Sequence, residues 1–225
     1  MIITLDGPSA SGKSTLARLL AQRLQIYYLN TGLLYRALAY LLMRQCGYTV
    51  DLLNTIGSAD VDKCLDLSRL VYRYQDGKGM VFFNQEDITG HLKMGLVDQA
   101  ASVLSMEPSI RQALLGYQRT FALHNDLVAE GRDTGSVVFA QADYKFYVTA
   151  DQSERALRWQ LQQKALGNTY TLQQALDHIG DRDLRDRQRA TAPLIIPIGA
   201  VVIDDTGLTQ EETLAKILGF IRPAA

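Results

Sequence analysis

Residues 7–14 read Gly7-Pro8-Ser9-Ala10-Ser11-Gly12-Lys13-Ser14, a complete match to G-x-x-x-x-G-K-[ST]. The short apolar run Met1–Asp6 precedes the match, and Thr15–Leu24 follows with Leu16, Leu19, Leu20 and Leu24 on one helical face. Strand, glycine-rich loop and helix in this order make a phosphate-binding loop. Gly7 and Gly12 let the backbone curl until its N–H groups point at phosphate oxygens, and the following helix adds its positive end. Lys13 reaches the β- and γ-phosphates, and the Ser14 hydroxyl suits Mg²⁺. A Gly/Ser-rich turn without function would need neither the lysine nor this spacing. A nucleoside triphosphate is the implied ligand.

The rest of the chain alternates strand and helix. Ile26–Leu29 reads as a second strand ending at Asn30-Thr31-Gly32, and Leu33–Cys46 as a buried helix with Tyr35 and Arg36 in its first turn. Val50–Asp62 has no clear period. Leu70–Gln75 and Met80–Asn84 flank Asp76-Gly77, a strong hairpin signal, and suggest an inserted subdomain from Val61 to Lys93. Helices are predicted over Gly95–Ser105 and from Pro108, where Arg111 stands near the start. Further strands are predicted at Asp126–Glu130, Tyr144–Thr149 and Ala200–Asp204, with helices at Ser153–Ala165, Thr171–Arg189 and Gln210–Ile221. This order predicts an α/β fold: a doubly wound five-stranded parallel sheet with an inserted β-hairpin subdomain and a helical lid, all as one domain over residues 1–225. Ligands then collect at the carboxyl ends of strands, at Gly7–Ser14, Thr31–Arg36 and Gly131–Asp133.

Composition narrows the partners. With 23 basic and 24 acidic residues the net charge is −1, so no global field favours nucleic acid. No apolar run reaches membrane-spanning length, and the expected compartment is the cytoplasm. Cys46 and Cys64 form no CxxC pair and read as buried thiols; His91, His124 and His178 show no metal-ligand spacing. Arginines are the expected charge carriers instead. Arg182, Arg185, Arg189 and Asp186 fall on one side of a helix, with Asp181–Arg185 and Asp183–Arg187 as expected i,i+4 pairs. Arg155 and Arg158 share another face, and Arg36 and Arg132 stand at predicted strand ends. Such clamping suits phosphoryl transfer between two phosphorylated molecules. A phosphate acceptor with a second pKa of about 6 is already anionic at neutral pH and needs no general base.

Together, Gly7–Ser14, Asn30–Arg36, Asp87-Ile88-Thr89-Gly90, Glu130-Gly131-Arg132-Asp133 and Asp181–Pro193 resemble the bacterial cytidylate kinases along essentially the whole chain. The resemblance implies transfer of the γ-phosphoryl group of ATP to CMP or dCMP, with Mg²⁺ as cofactor and a monomer as the working form. It implies that Lys13, Arg132, Arg182 and Arg189 carry the transfer, and that Gly7 to Thr15, Arg155 and Arg158 bind ATP. Arg36, Arg132 and Arg189 hold the acceptor phosphate in this reading, and Thr31 stands where the family often has Ser. Tyr35, Arg182 and Asp186 lie at the ribose; Ser102, Arg111 and Asp133 face the cytosine. The departures are Leu92-Lys93-Met94 after the hairpin and Trp159 after Arg158, where the family is commonly basic. The lid, at Asp181–Arg189, and the insertion are expected to order over substrate. A GTPase reading fails: Asp204–Gly207 matches DxxG only far from the P-loop, and none of the five asparagines precedes Lys. UMP, dTMP or another small acceptor would be a nearer alternative.

Overall fold

The computed structural model describes residues 1–53, 55–66 and 68–221. In chain order its main elements are β1 (Ile2–Asp6), α1 (Lys13–Leu24), β2 (Tyr27–Asn30), α2 (Thr31–Cys46), α3 (Ser58–Cys64), β3 (Leu70–Gln75), β4 (Lys78–Phe83), β5 (Glu86–Asp87), α4 (Gly95–Leu104), α5 (Pro108–Thr120), β6 (Leu127–Gly131), β7 (Tyr144–Thr149), α6 (Gln152–Ala165), α7 (Leu172–Gln188), β8 (Val201–Asp204) and α8 (Gln210–Phe220). The fold is α/β, with a five-stranded sheet of β1, β2, β6, β7 and β8 and a separate three-stranded sheet. The residues gather into two compact units, one of Met1–Gln25 with Val128–Ala225 and one of Ile26–Leu127.

In the first unit the strands lie in the order β6-β1-β7-β8. β1 pairs parallel with β7 from Ile3↔Tyr144 to Asp6↔Tyr147, and β7 with β8 from Phe146↔Val201 to Thr149↔Asp204. Ile3 and Leu5 are fully buried, as parallel strands covered on both faces require. On α1 the buried stripe is Leu16, Ala17, Leu20 and Ala21, whereas Leu19 and Leu24 are half-buried. The face is therefore rotated toward the small alanines, which lets the helix lie close. The Thr171 hydroxyl and Gln174 form a reciprocal capping box that starts α7.

In the second unit α2 starts two residues earlier than expected. The Asn30 side chain accepts from the Leu33 N–H and caps the helix, so Thr31 and Gly32 belong to its first turn. The connector after it contains α3, only seven residues long and too short to show a period. The hairpin pairs from Leu70↔Phe83 to Gln75↔Lys78, and Asp76 and Gly77 both take positive φ (53° and 71°), the I′ turn that matches strand twist. Tyrosines tie it to its neighbours. Tyr72 Oη donates to Tyr28 O at 2.9 Å, and Tyr27 Oη accepts from the Tyr74 N–H at 3.0 Å. Tyr117 Oη, on α5, accepts from the Tyr72 N–H at 2.9 Å. The hairpin thus packs inside a unit much longer than the Val61–Lys93 segment expected.

Candidate active site

The phosphate-binding loop lies in the first unit, between β1 and α1. Gly7 must be glycine: a Cβ there would sit 2.0 Å from the Val148 carbonyl oxygen. Gly12 takes φ 79° and opens α1. Lys13 is buried, and its Nζ donates to Pro8 O at 2.8 Å. Burial pushes the Lys13 ammonium down to about 7; the Arg132 and Arg182 cations add to this, while Glu130 and Asp183 oppose it. Ser14 Oγ donates to Glu130 Oε1 at 2.8 Å. That pair offers two hard oxygen donors, the set that suits Mg²⁺, which keeps several waters and takes few protein ligands. Among the described residues no cluster of three or more His, Cys, Asp or Glu could hold a metal.

Around this loop the arginines meet carboxylates. Arg132 Nε donates to Asp186 Oδ2 at 2.7 Å, and its Nη2 reaches Ser9 Oγ at 3.3 Å. Arg189 is buried, with Nη1 3.7 Å from Asp186 and Nη2 3.6 Å from Asp133 Oδ1. Burial raises the Asp186 carboxyl, but Arg132, Arg182 and Arg189 outweigh it and hold the group below the usual carboxylate range. Arg182 is half-buried. Arg155 Nη1 donates to Ser9 O at 2.9 Å and to Asp183 Oδ2 at 2.6 Å. Arg158 forks onto both Asp205 oxygens at 3.0 Å and pairs with Glu154. Within the stretch 181–189, Asp183, Asp186 and Arg189 are buried. Asp183 turns inward, away from the expected pairing with the exposed Arg187, and Arg189 caps α7 from just outside the helix.

Asp6, at the end of β1, is fully buried and accepts from the Thr134 N–H and Oγ1, each at 2.8 Å, and from the Gly135 N–H at 2.7 Å. It thereby fixes the turn that follows Arg132 and Asp133. Burial lifts its carboxyl to about 6, against the pull of those three donors.

The second unit holds its own constellation. Arg36 donates through Nε and Nη2 to Asp98 Oδ1, at 3.0 and 2.5 Å. Ser102 lies four residues further along α4 and is buried, as is Thr31. The buried Arg111 donates from Nη1 to Ser105 O at 3.1 Å, and its guanidinium carbon lies 5.6 Å from the centre of the Tyr35 ring. Tyr35, Arg36, Ser102 and Arg111, singled out from three separate stretches, therefore share α2, α4 and the start of α5. Sequence reading missed their acidic partner Asp98, and likewise Asp183, Asp205 and the carboxylate of Glu130 on Ser14. His91 stacks on Tyr40 and His178 on Trp159, and both cysteines are free thiols.

The whole chain has known relatives. A family model for "Cytidylate kinase" matches residues 3–223. A cytidylate kinase of Stutzerimonas stutzeri is 42% identical over 218 residues, 96% of this chain and 93% of that protein. One from Caldanaerobacter subterraneus subsp. tengcongensis is 36% identical over 220 residues, 98% and 94% of the two chains. A crystal structure of a protein from Eubacterium ventriosum shares the fold, with a TM-score of 0.53, 12% identity and 98% of each chain covered. Motif, fold and relatives agree, and the chain belongs to the cytidylate kinase family.

Proposed function

We propose that this chain transfers the γ-phosphoryl group of ATP to CMP, and also to dCMP, giving ADP and the nucleoside diphosphate. The observation that carries the reading is the P-loop with a buried Lys13 and with Arg132 and Arg155 both bonded to its Ser9. The anionic acceptor phosphate attacks the γ-phosphorus, ADP leaves, and no group on the protein has to take a proton. Lys13, Arg132, Arg182 and Arg189 oppose the charge that spreads over the transferring oxygens. Gly7 to Thr15, Arg155 and Arg158 hold ATP. Ser14 and Glu130 would hold Mg²⁺, which supplies further neutralisation of the phosphate oxygens. Arg36, Arg132 and Arg189 take the acceptor phosphate, Thr31 assists at its end of α2, and Tyr35, Arg182 and Asp186 take the ribose. Residues 1–225 act as one kinase domain on free nucleotides, as a cytoplasmic monomer.

The base is chosen by donor and acceptor matching. Arg111 only donates, suiting O2 and N3 of cytosine, Asp133 when ionised only accepts, suiting its N4 amino group, and Ser102 is assigned to the base as well. Uracil reverses N3 and the 4-position, and each mismatch strands a buried polar group at about 1–3 kcal/mol. The test is a panel of CMP, dCMP, UMP and dTMP with ATP, read as ADP release. CMP should exceed UMP by roughly a hundredfold in kcat/KM. In Asp133→Asn that ratio should fall, mainly through lost CMP activity. Equal loss for both bases would leave Asp133 as scaffolding held by Arg189.

A further inference from the structure

Asp183 is buried, with 4% of its surface exposed, and both its oxygens face the P-loop side of the first unit. Oδ1 accepts from the backbone N–H of Ser9 at 2.7 Å, and Oδ2 from Arg155 Nη1 at 2.6 Å. The same Arg155 nitrogen closes the triangle on Ser9 O at 2.9 Å, and its Nε donates to Ala150 O at 3.1 Å. One lid carboxylate therefore fixes a loop amide and a buried guanidinium together.

A second contact falls on the next residue. Ala10 takes φ 57°, a left-handed conformation that costs a residue with a Cβ about 1 kcal/mol or more. It packs against a small apolar cluster of Ala156, Trp159, Ala175 and Ile179, contributed by α6 and α7. The turn is held at Ser9 by Asp183 and at Ala10 by the cluster on α6 and α7. None of these partners touches the motif in sequence, and the P-loop pattern does not require them.

We propose that Asp183 is the positioning residue through which the lid helix sets the P-loop turn and Arg155 for the triphosphate. Where Asp183 is docked, Arg155 has Nε and Nη1 committed and presents its remaining edge in one orientation, and the Ser9 amide is satisfied. Where the lid swings away, the loop loses its acceptor and Arg155 its carboxylate. ATP affinity is thereby tied to the Asp183 carboxylate, whereas the contacts assigned to CMP on the same helix, at Arg182, Asp186 and Arg189, do not pass through it. This rests on the kinase reading above, with ATP at the P-loop.

The experiment compares the full chain with Asp183→Asn and Asp183→Glu. Asn keeps an acceptor for the Ser9 N–H but removes the charge that holds Arg155; Glu keeps the charge on a side chain one methylene too long. KM for ATP and the Kd of ADP measured alone by calorimetry should both rise about tenfold in Asp183→Asn, while KM for CMP stays within about twofold. Asp183→Glu should fall between Asp183→Asn and the unmodified chain, and it serves for the same split if Asp183→Asn does not fold. Unchanged or tighter ATP binding would overturn the role of Asp183, as would equal loss for the two substrates. An unmodified chain with no CMP-dependent ADP release would overturn the kinase reading instead, so the two failures are distinct.

Discussion

At the scale of single residues the unusual group is Lys13, an ammonium buried among Arg132 and Arg182 and countered by Glu130 and Asp183. With its pKa near 7 against an ordinary 10.5, it is largely neutral at pH 8 before nucleotide arrives. Nucleotide β-phosphate oxygens beside it restore the charged form, so binding should take up about one proton at pH 8 and almost none from Lys13 at pH 6. Calorimetry of ADP binding in buffers of different ionisation enthalpy measures this, and Lys13→Met should abolish the uptake at pH 8. Without nucleotide the sign for folding follows. Between pH 7 and 10.5 the unfolded chain holds the extra proton, so stability rises with pH across that window and is lost as pH falls through 7. Lys13→Ala should lower turnover by about 10²–10³-fold while leaving the far-ultraviolet dichroism unchanged. Near-normal turnover in that folded variant would take the P-loop out of the chemistry.

At the scale of elements, the hairpin shows what close packing demands. A Cβ at Gly79 would lie 2.4 Å from Tyr72 Oη. That hydroxyl donates to Tyr28 O at 2.9 Å and accepts from the Asn30 N–H at 3.1 Å, so it has nowhere to go. Gly79→Ala should therefore destabilise the protein by about 1–3 kcal/mol, seen as a lower urea midpoint with the slope unchanged. Elements such as this hairpin were legible in the sequence because their signals are local. Asp76-Gly77 specifies its turn, and Tyr144–Thr149 is a strand with the bounds its residues suggest. The failures have two causes. α3 is too short for a period, and Asp98, Asp183 and Asp205 meet their arginines across long stretches of chain, where spacing carries no information. The P-loop, the GRD motif and the arginines could be found from sequence; the carboxylates that hold those arginines could not.

At the scale of the whole molecule, the residues proposed for ATP all belong to one compact unit, and only part of those proposed for CMP belong to the other. Thr31, Tyr35, Arg36, Ser102 and Arg111 belong to Ile26–Leu127, and the P-loop, Arg155, Arg158 and Asp183 to the other unit. In hydrogen exchange, ADP alone should slow amides of Gly7–Thr15 and α7, and CMP alone those at the start of α2 and around Ser102–Arg111. Protection by CMP confined to the P-loop would contradict the assignment. The same division has a consequence for synthesis. Residues 26–127 form one uninterrupted compact unit, whereas β1, which precedes that unit, pairs with β7, well over a hundred residues later. On the ribosome, the nucleotide-gripping loop therefore emerges ahead of that unit and must wait, its strand unpaired, until about a hundred further residues have followed. Contacts between such distant residues form slowly, and in the interval β1 presents an unprotected apolar edge. The strand that leads into the P-loop is thus among the last to be built in, and a nascent chain stalled before Leu127 has no sheet neighbour for it.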